Sequence, residues 1–192
     1  VDKTQYSAAS AKLNASDTIT VSDDTLSASE VATLGADAKV DAIRVATLTV
    51  DKTQYSAASA KLNASDTITV SDDTLSASEV ATLGADAKVD AIRVATLTVD
   101  KTQYSAASAK LNASDAITVS DTTLTGSEAS TLGADAKVDF IIATLDKSNY
   151  NTASANLATT DTITVSDDTL SASEVATLGA DAKVDAIRVA TL

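Results

Sequence analysis

Residues 18–45 read TITVSDDTLSASEVATLGADAKVDAIRV and contain a strand pattern, a helix pattern and a second strand pattern. In residues 18–22, Ile and Val alternate with hydroxyl residues, which is typical of a strand with one buried face. Residues 42–46 alternate in the same phase, with Arg44 on the outer side. Between them, residues 27–30 (Ser-Ala-Ser-Glu) fit a capping box at the start of a helix. The stretch therefore predicts the order strand, helix, strand.

The helix ends are marked by residues that favour a left-handed backbone. Gly35 follows Leu34, and Asn14 follows Leu13 at the end of the preceding helix pattern. Glycine and asparagine are the residues most often found in the left-handed position after a helix. We therefore expect both residues to terminate their helices in this conformation.

The pattern is repeated along the whole chain. Residues 1–49 reappear letter for letter at 50–98, so the period is 49 residues. A third copy diverges and is three residues shorter, and the fourth diverges in its first half. The four repeats are residues 1–49, 50–98, 99–145 and 146–192. Each repeat divides into two related halves, which gives eight coils of about 24 residues, a length at which one coil needs its neighbours to form a core.

Strands joined in one direction by short helices pair in parallel through crossovers. We therefore predict an α/β fold, a parallel β/α solenoid similar to leucine-rich-repeat proteins, forming a single domain over residues 1–192. One face is a long sheet and the other a row of helices. The apolar phase slips by one residue between Ala46 and Leu48, where we expect a bulge or a corner.

The composition excludes several classes of function. The chain has no Cys and no His, which removes ordinary zinc sites, thiol nucleophiles and imidazole bases. Its formal net charge of −13 opposes binding to nucleic acid. No apolar run approaches the roughly 20 residues of a membrane span, so we expect no membrane insertion. Active sites combine unlike residues in one pocket, whereas every candidate group here is repeated, so we predict that the chain is not an enzyme.

Acidic residues recur where each strand turns into a helix, in the motif Ser-Asp-Asp-Thr. Stacked carboxylates at such corners could form a ladder of calcium sites. The preferred interpretation is that one Asp in each copy caps a helix while the other is solvated. The candidate residues are Asp23, Asp24, Asp72, Asp73, Asp121, Asp167 and Asp168.

A second acidic row lies after the predicted helix. Asp37 and Asp41 flank Lys39, which predicts local charge pairing on a solvated loop. The same arrangement recurs at Asp86, Lys88 and Asp90.

The outer face of the predicted sheet carries Thr and Ser on one rung and Ala and Arg on the next. Such a face suits a glycan, a neighbouring subunit or solvent. A regular array of Thr is also typical of ice-binding surfaces, but the arginines interrupt it. These arginines are Arg44, Arg93 and Arg188.

One helix position is tyrosine in all four repeats. A row of aromatic rings can be a ligand platform, but a core filler with its hydroxyl at the rim is the preferred interpretation. The four residues are Tyr6, Tyr55, Tyr104 and Tyr150.

Neither end of the sequence carries an atypical polar coil of the kind that closes most solenoids. Uncapped sheet edges invite pairing with another chain. We therefore expect either a longer array or head-to-tail stacking of chains.

Residues 48–83, LTVDKTQYSAASAKLNASDTITVSDDTLSASEVATL, resemble the β/α-solenoid repeats of large secreted bacterial surface proteins. That class includes adhesins of the type I secretion class and surface-layer-like proteins. The resemblance implies an extracellular location at the cell surface, tolerance of high salt, use of calcium, and a role as spacer, fibre or surface layer.

Together these features predict a structural extracellular protein that forms a stalk, fibril or sheath. Its coils would stack within the chain, and its chains would associate head to tail. The alternative is an adhesive module that binds calcium, a glycan or ice through the sheet face or the corner aspartates.

Overall fold

Residues 1–190, which the computed structural model describes, form an α/β protein in which short helices alternate with parallel strands. This confirms the predicted α/β class with parallel strands. The helices are α1 (Lys3–Ala9), α2 (Ala28–Ala36), α3 (Lys52–Ala58), α4 (Ala77–Ala85), α5 (Lys101–Ala107), α6 (Gly126–Ala134), α7 (Lys147–Ala153) and α8 (Ala172–Gly179). The strands are β1 (Ile19–Ser22), β2 (Val40–Arg44), β3 (Thr47–Val50), β4 (Thr67–Ser71), β5 (Val89–Arg93), β6 (Thr96–Val99), β7 (Ala116–Ser120), β8 (Val138–Leu145), β9 (Thr162–Ser166) and β10 (Val184–Arg188).

The chain divides into two compact units. Unit 1 contains residues 1–94 and 107–112, and unit 2 contains residues 95–106 and the chain from 113 onward. In unit 1, β1 pairs with β2, and β4 lies between β3 and β5. In unit 2, one sheet has the order β10-β9-β8-β7-β6. All strand pairs are parallel, and in each sheet neighbours in sequence are neighbours in space.

The sheet of unit 1 is interrupted where the apolar phase slips in the sequence. Strand β2 ends at Arg44 and β3 begins at Thr47, so the chain turns a corner at Val45 and Ala46. As a result β2 pairs with β1, with one further parallel bridge from Ile43 to Leu62, and β3 pairs with β4. The predicted corner is confirmed, close to the position that the pattern indicated.

The third repeat lacks this corner because it is three residues shorter. Its single strand β8 runs without a break and pairs with β7 through its first half and with β9 through its second half. Ile142 belongs to both pairings, opposite Ser120 on one side and Thr162 on the other. The deletion therefore joins what are two separate strands in the first repeat, and the sheet of unit 2 has five strands.

Each strand of the second half-repeats contains a bulge at an aspartate. In β2, Ile19 is opposite Val40 and Thr20 is opposite Ala42, which leaves Asp41 without a partner in the ladder. Asp41 is exposed on this bulge and not on a loop, as the sequence pattern had suggested. The equivalent bulged residues are Asp90, Asp139 and Asp185.

The predicted capping boxes are present. Ser27 Oγ accepts a hydrogen bond from the backbone N–H of Glu30, and the Glu30 carboxylate accepts one from the N–H of Ser27. Asp51 and Gln54 form the same reciprocal pair at the start of α3. The helices have seven to nine residues, a length at which isolated helices are marginal, so packing must stabilise them.

The prediction of left-handed helix ends at Gly35 and Asn14 is wrong. No residue in the described part of the chain has a positive φ. Gly35 lies inside α2 and is buried. A glycine is needed here for a steric reason. A Cβ placed on Gly35 would lie 2.4 Å from the Cα of Ala58 in α3, so only glycine allows α2 and α3 to pack this closely.

The core of each unit lies between the sheet and the helices. Alternate strand residues point into it, and Val21, Ile43, Ile68 and Val70 are fully buried. Leu and Val residues of the helices and loops fill the space from the other side. Each large aliphatic side chain buried in this way stabilises the fold by about 1.5–3 kcal/mol.

Candidate functional site

The corner aspartate Asp23 is held by hydrogen bonds within the fold. Its Oδ1 accepts bonds from the N–H of Thr25 at 2.9 Å and from Thr25 Oγ1 at 2.6 Å. Its Oδ2 accepts a bond from the N–H of Lys3, the first residue of α1, at 3.2 Å. These bonds, first of all the one from the Thr25 hydroxyl, lower the pKa of Asp23. The same contacts recur at Asp72, Asp121 and Asp167.

Lys3 and Glu30 extend this network across two helices. Lys3 Nζ lies 3.3 Å from Glu30 Oε2 and also donates to the carbonyl of Thr25. Glu30 in turn accepts bonds from Ser27, so its pKa is lowered chiefly by the backbone N–H of Ser27. We call Lys3, Asp23, Thr25, Ser27 and Glu30 the corner cluster. It ties the start of α1 to the start of α2, and equivalent clusters occur in the other three repeats.

The second aspartate of each corner motif faces solvent. Asp24, Asp73 and Asp168 are exposed, whereas the first aspartates are half-buried. In the fourth repeat the corner borders an open depression of about 520 Å³, lined by Asp146, Ser148, Ser166, Asp167 and Asp168. Across residues 1–190 no group of three or more acidic side chains is arranged so that it could hold a metal ion.

The tyrosines are core residues with one polar contact, as the sequence pattern favours. Tyr6 is 5% exposed, and its hydroxyl donates to Asp37 Oδ2 at 2.5 Å. Burial, together with this neighbouring carboxylate, raises the pKa of Tyr6 to about 12. The bond from Tyr6 lowers the pKa of Asp37, which also accepts the N–H of Lys39. The equivalent pairs are Tyr55–Asp86, Tyr104–Asp135 and Tyr150–Asp181.

The predicted charge pair of Asp37 and Lys39 on a solvated loop is wrong, because the charged groups of the two side chains have other partners. The Lys39 ammonium donates to the carbonyl of Ser10 at 2.7 Å, so it bridges to the end of the first helical segment. The carboxylate of Asp37 is bound by Tyr6 instead. Both side chains therefore connect two half-repeats and are not a local ion pair.

An open groove of about 340 Å³ separates α1 from α2. Its lining includes the ion pair of Lys3 and Glu30 and the hydrogen-bonded pair of Tyr6 and Asp37. Ser and Thr hydroxyls form its walls. A second groove of about 340 Å³ with equivalent residues lies between α3 and α4. The two helices of one repeat are therefore linked by the Lys3–Glu30 and Tyr6–Asp37 contacts across this groove, and not by close packing.

Within each unit, in contrast, successive repeats pack closely. We call this contact, between the second half of one repeat and the first half of the next, the joint. In unit 1, α2 packs against α3 at Gly35 and Ala58. The Lys61 ammonium of the second repeat donates to the carbonyl of Asp37 in the first. The N–H of Ile43 donates to the carbonyl of Lys61 at 2.7 Å.

A buried aspartate completes the joint. Asp66 is 8% exposed and accepts hydrogen bonds from the N–H of Val45, at the corner of the first repeat, and from the N–H of Asn63. It therefore satisfies the backbone where the sheet is interrupted. In unit 2, where the sheet is continuous, the carboxylate of Asp161 accepts the N–H of Ile141 in β8, at 2.9 Å, and the N–H of Ala158.

Sequence reasoning missed the role of this aspartate and of the joint glycines. The available signal was their recurrence: an Asp precedes every first strand, and a Gly occupies the same helix position in each repeat. The neighbouring sequence does not reveal the role of either residue, because both contact a different repeat.

The joint in unit 2 keeps the equivalent glycine, Gly133, which packs against the backbone of Asn156, and adds contacts that unit 1 lacks. A Cβ on Gly126 would lie 2.6 Å from the carbonyl oxygen of Asn149, and the N–H of Gly126 donates to Asn149 Oδ1 at 2.9 Å. The Asn156 amide donates to Ser130 Oγ at 2.6 Å. The divergent parts of the third and fourth repeats thus lie on the two sides of one joint, where their changes complement each other.

On the outer face, Thr20 lies opposite Ala42 and Ser22 opposite Arg44, as predicted, and strands β3 and β4 add pairs of threonines. In unit 1, Thr47 is opposite Thr67 and Thr49 is opposite Thr69, while Arg93 lies opposite Ser71. In unit 2, two apolar side chains stand on this face: Phe140, which is 40% exposed, and Ile142, which is 42% exposed. Phe140 lies opposite Thr118.

Comparison of the chain with protein-family models, with curated proteins and with solved structures finds no match. Within residues 1–190, no helix has the length and apolar character needed to cross a bilayer.

Proposed function

We propose that this chain is a structural extracellular surface protein whose repeats form a stalk, fibril or sheath at the surface of a bacterial cell. Each compact unit is then a stretch of parallel β/α solenoid, with two coils in each repeat, similar in plan to leucine-rich-repeat proteins. The chain resembles the repeat regions of large secreted adhesins in this respect. Its function is to extend and to associate head to tail, and not to catalyse a reaction.

The proposal rests on one observation: the recurring polar side chains connect half-repeats and repeats to one another. These side chains hydrogen-bond to another half-repeat or to a neighbouring repeat, as shown by Lys3, Glu30, Asp37 and Asp66. In the described part of the chain, every fully buried side-chain nitrogen or oxygen has a partner. Side chains committed to stacking in this way favour a load-bearing array over a binding pocket.

The net charge of −13 fits the same role. The bulged aspartates and the second corner aspartates are exposed, so they keep the surface hydrated and resist non-specific association. A strongly acidic surface also disfavours nucleic acid as a partner.

Electron microscopy and fibre diffraction of the concentrated chain test this proposal. We expect fibres with a reflection near 4.8 Å along the fibre axis, because parallel strands stack at about that spacing. Dispersed particles without fibres, at every protein concentration and ionic strength tested, would contradict it.

A second candidate function is a glycan-binding module on the outer face of unit 2. Phe140 is 40% exposed beside the hydroxyl of Thr118, and an aromatic ring flanked by hydroxyls is a common way to bind a sugar ring. Titration with cellohexaose, comparing the natural chain with F140A, tests this function. Binding that F140A abolishes supports it, and absence of binding to the natural chain excludes this ligand.

A further inference from the structure

Helix α8 and strand β10 carry the same sequence as elements that are buried elsewhere, yet they are partly uncovered. Val31 and Val80 are 0% exposed in α2 and α4, whereas the equivalent Val175 of α8 is half-exposed. Gly35 is buried, but its equivalent Gly179 is exposed. The strand and corner residues that follow behave likewise. These residues form one face, and those more exposed than their equivalents in the first repeat are Val175, Gly179, Val184, Ile187 and Val189.

The first half of the first repeat shows the matching change. Ala58 is 0% exposed at the joint with α2, whereas the equivalent Ala9 is half-exposed. Ile68 is fully buried, but Ile19 is half-exposed. The residues of this face that lose burial are Ala9, Leu13, Asp17 and Ile19. We call these two faces the α8 face and the α1 face.

Together, the two faces contain both sides of the α2/α3 joint. Residues 162–190 are identical to 18–46, and residues 1–17 are identical to 50–66. Every side chain that α2 presents to α3 is therefore present on the α8 face, and every side chain that α3 presents to α2 is present on the α1 face. In residues 1–190 no element covers either face.

We propose that the α8 face binds the α1 face of a second copy of this chain through a joint of the α2/α3 type. Gly179 then packs against Ala9 of the second copy. Lys12 of the second copy donates to the carbonyl of Asp181, as Lys61 does to Asp37. Asp17 of the second copy accepts the N–H of Val189, as Asp66 accepts that of Val45. This inference rests on the proposed function and names the surfaces that its head-to-tail association uses.

The divergent α6/α7 joint does not take part, because it is occupied within each chain and its residues differ. Gly126 matches Asn149, and Ser130 matches Asn156, whereas the α1 face has Gln5 and Lys12 at the positions of these asparagines. The matching sequences therefore pair the α8 face of one copy with the α1 face of another.

Sedimentation velocity of the unsubstituted 192-residue chain and of two α8 variants tests the proposal. In G179L the added side chain meets no backbone within its own chain, since the nearest atom to a Cβ at Gly179 is Ile187 Cδ1 at 3.8 Å. Across the joint it meets Ala9 of the second copy, so we expect association about 10- to 100-fold weaker. The control is T177L, because the equivalent Thr33 is exposed although its joint is formed.

We expect the natural chain and T177L to associate as concentration rises, and more tightly at 1 M salt, where screening reduces the repulsion between acidic chains. G179L should remain monomeric at the same concentrations with an unchanged circular dichroism spectrum. K12E, on the α1 face, should weaken association in the same way.

Two results overturn the inference, and they differ in their consequence for the proposed function. If G179L and K12E associate as strongly as the unsubstituted chain, association uses another surface and the structural role stands. If the natural chain stays monomeric up to the highest concentration and salt, the inference fails, and head-to-tail association is removed from the proposed function.

Discussion

Gly35 of α2 lies against the backbone of Ala58 in α3 so closely that no larger residue fits between them. A Cβ at Gly35 would also lie 2.7 Å from the carbonyl oxygen of Ala57. Because both neighbours belong to the next repeat, this contact sets how near two successive repeats approach. It is the most direct steric link between the repeated sequence and the stacked structure.

Gly35→Ala should therefore destabilise the fold, whereas Gly179→Ala should not. We expect G35A to lower the free energy of unfolding by about 1–3 kcal/mol, because the backbone of α3 must move. G179A adds a Cβ that makes only an ordinary van der Waals contact with Ile187, so it should raise stability by about 0.4–1 kcal/mol, since alanine reduces the freedom of the unfolded chain. Urea unfolding in dilute solution measures both. Equal losses in the two variants would show that these glycines act as helix ends after all.

Asp66→Asn should weaken the joint between the first two repeats. The substitution replaces a carboxylate that accepts the N–H groups of Val45 and Asn63. A buried N–H left without a good acceptor costs about 1–3 kcal/mol. The matched control is D17N, since Asp17 is half-exposed and accepts only the N–H of Asn14 among the bonds described here. A loss in urea stability that is as large for D17N as for D66N would contradict the role of Asp66 at the joint.

The Tyr55–Asp86 bond should be measurable by a double-mutant cycle. Y55F removes a hydroxyl that donates to the Asp86 carboxylate at 2.5 Å, and D86N weakens the same bond from the other side. Hydrogen bonds to charged groups contribute about 1.5–3 kcal/mol. We expect a coupling free energy of that order between the two substitutions in urea unfolding. Strict additivity would mean that the bond contributes nothing.

Stability should be flat near neutral pH and fall on both sides. The pKa values of Asp37 and Glu30 are lowered in the folded chain, chiefly by the hydrogen bonds from Tyr6 and Ser27. The stability they contribute is present above their unfolded pKa values, about 4 and 4.5, and is lost as pH falls through the folded values. The pKa of Tyr6 is raised to about 12, so its contribution is lost as pH rises from about 10 toward 12. Urea midpoints between pH 2 and 12 test this profile, and a maximum at either extreme would contradict it.

Calcium should have little effect on the folded chain. Both carboxylate oxygens of Asp23 already accept hydrogen bonds from Thr25 and Lys3. We therefore expect the thermal midpoint and the helical circular dichroism to be unchanged by excess EDTA or by millimolar calcium. A large loss of helix in EDTA would instead assign the corner aspartates to calcium, and D72N would then lower calcium affinity.

The repeated strands and helix starts could be predicted because their signals are local. The alternation of Ile68 and Val70 with Thr requires only a period of two, and the capping box of Ser27 and Glu30 spans four residues. The corner near Ala46 could also be predicted, since the apolar phase slips at that point. Each of these signals lies within a single half-repeat.

The contacts that connect half-repeats could not be predicted in the same way. Gly35 follows a leucine at the end of a helix pattern, which fits a left-handed helix end as well as a close contact with α3. Asp23 was placed correctly at the turn from strand to helix. Its bond to the N–H of Lys3 depends on how two half-repeats are stacked, and sequence spacing does not supply that geometry.

Like strands lie on like strands in parallel register, and an engineered cysteine pair measures this stacking. Thr49 is opposite Thr69 on neighbouring strands of unit 1, and the natural chain has no cysteine. Neighbouring strands are about 4.8 Å apart, within the Cα separation that a disulfide bridges. We predict that T49C/T69C oxidises to an intramolecular disulfide without loss of circular dichroism, while T33C/T69C, with one cysteine on α2, does not. A disulfide in the second variant and none in the first would contradict parallel stacking.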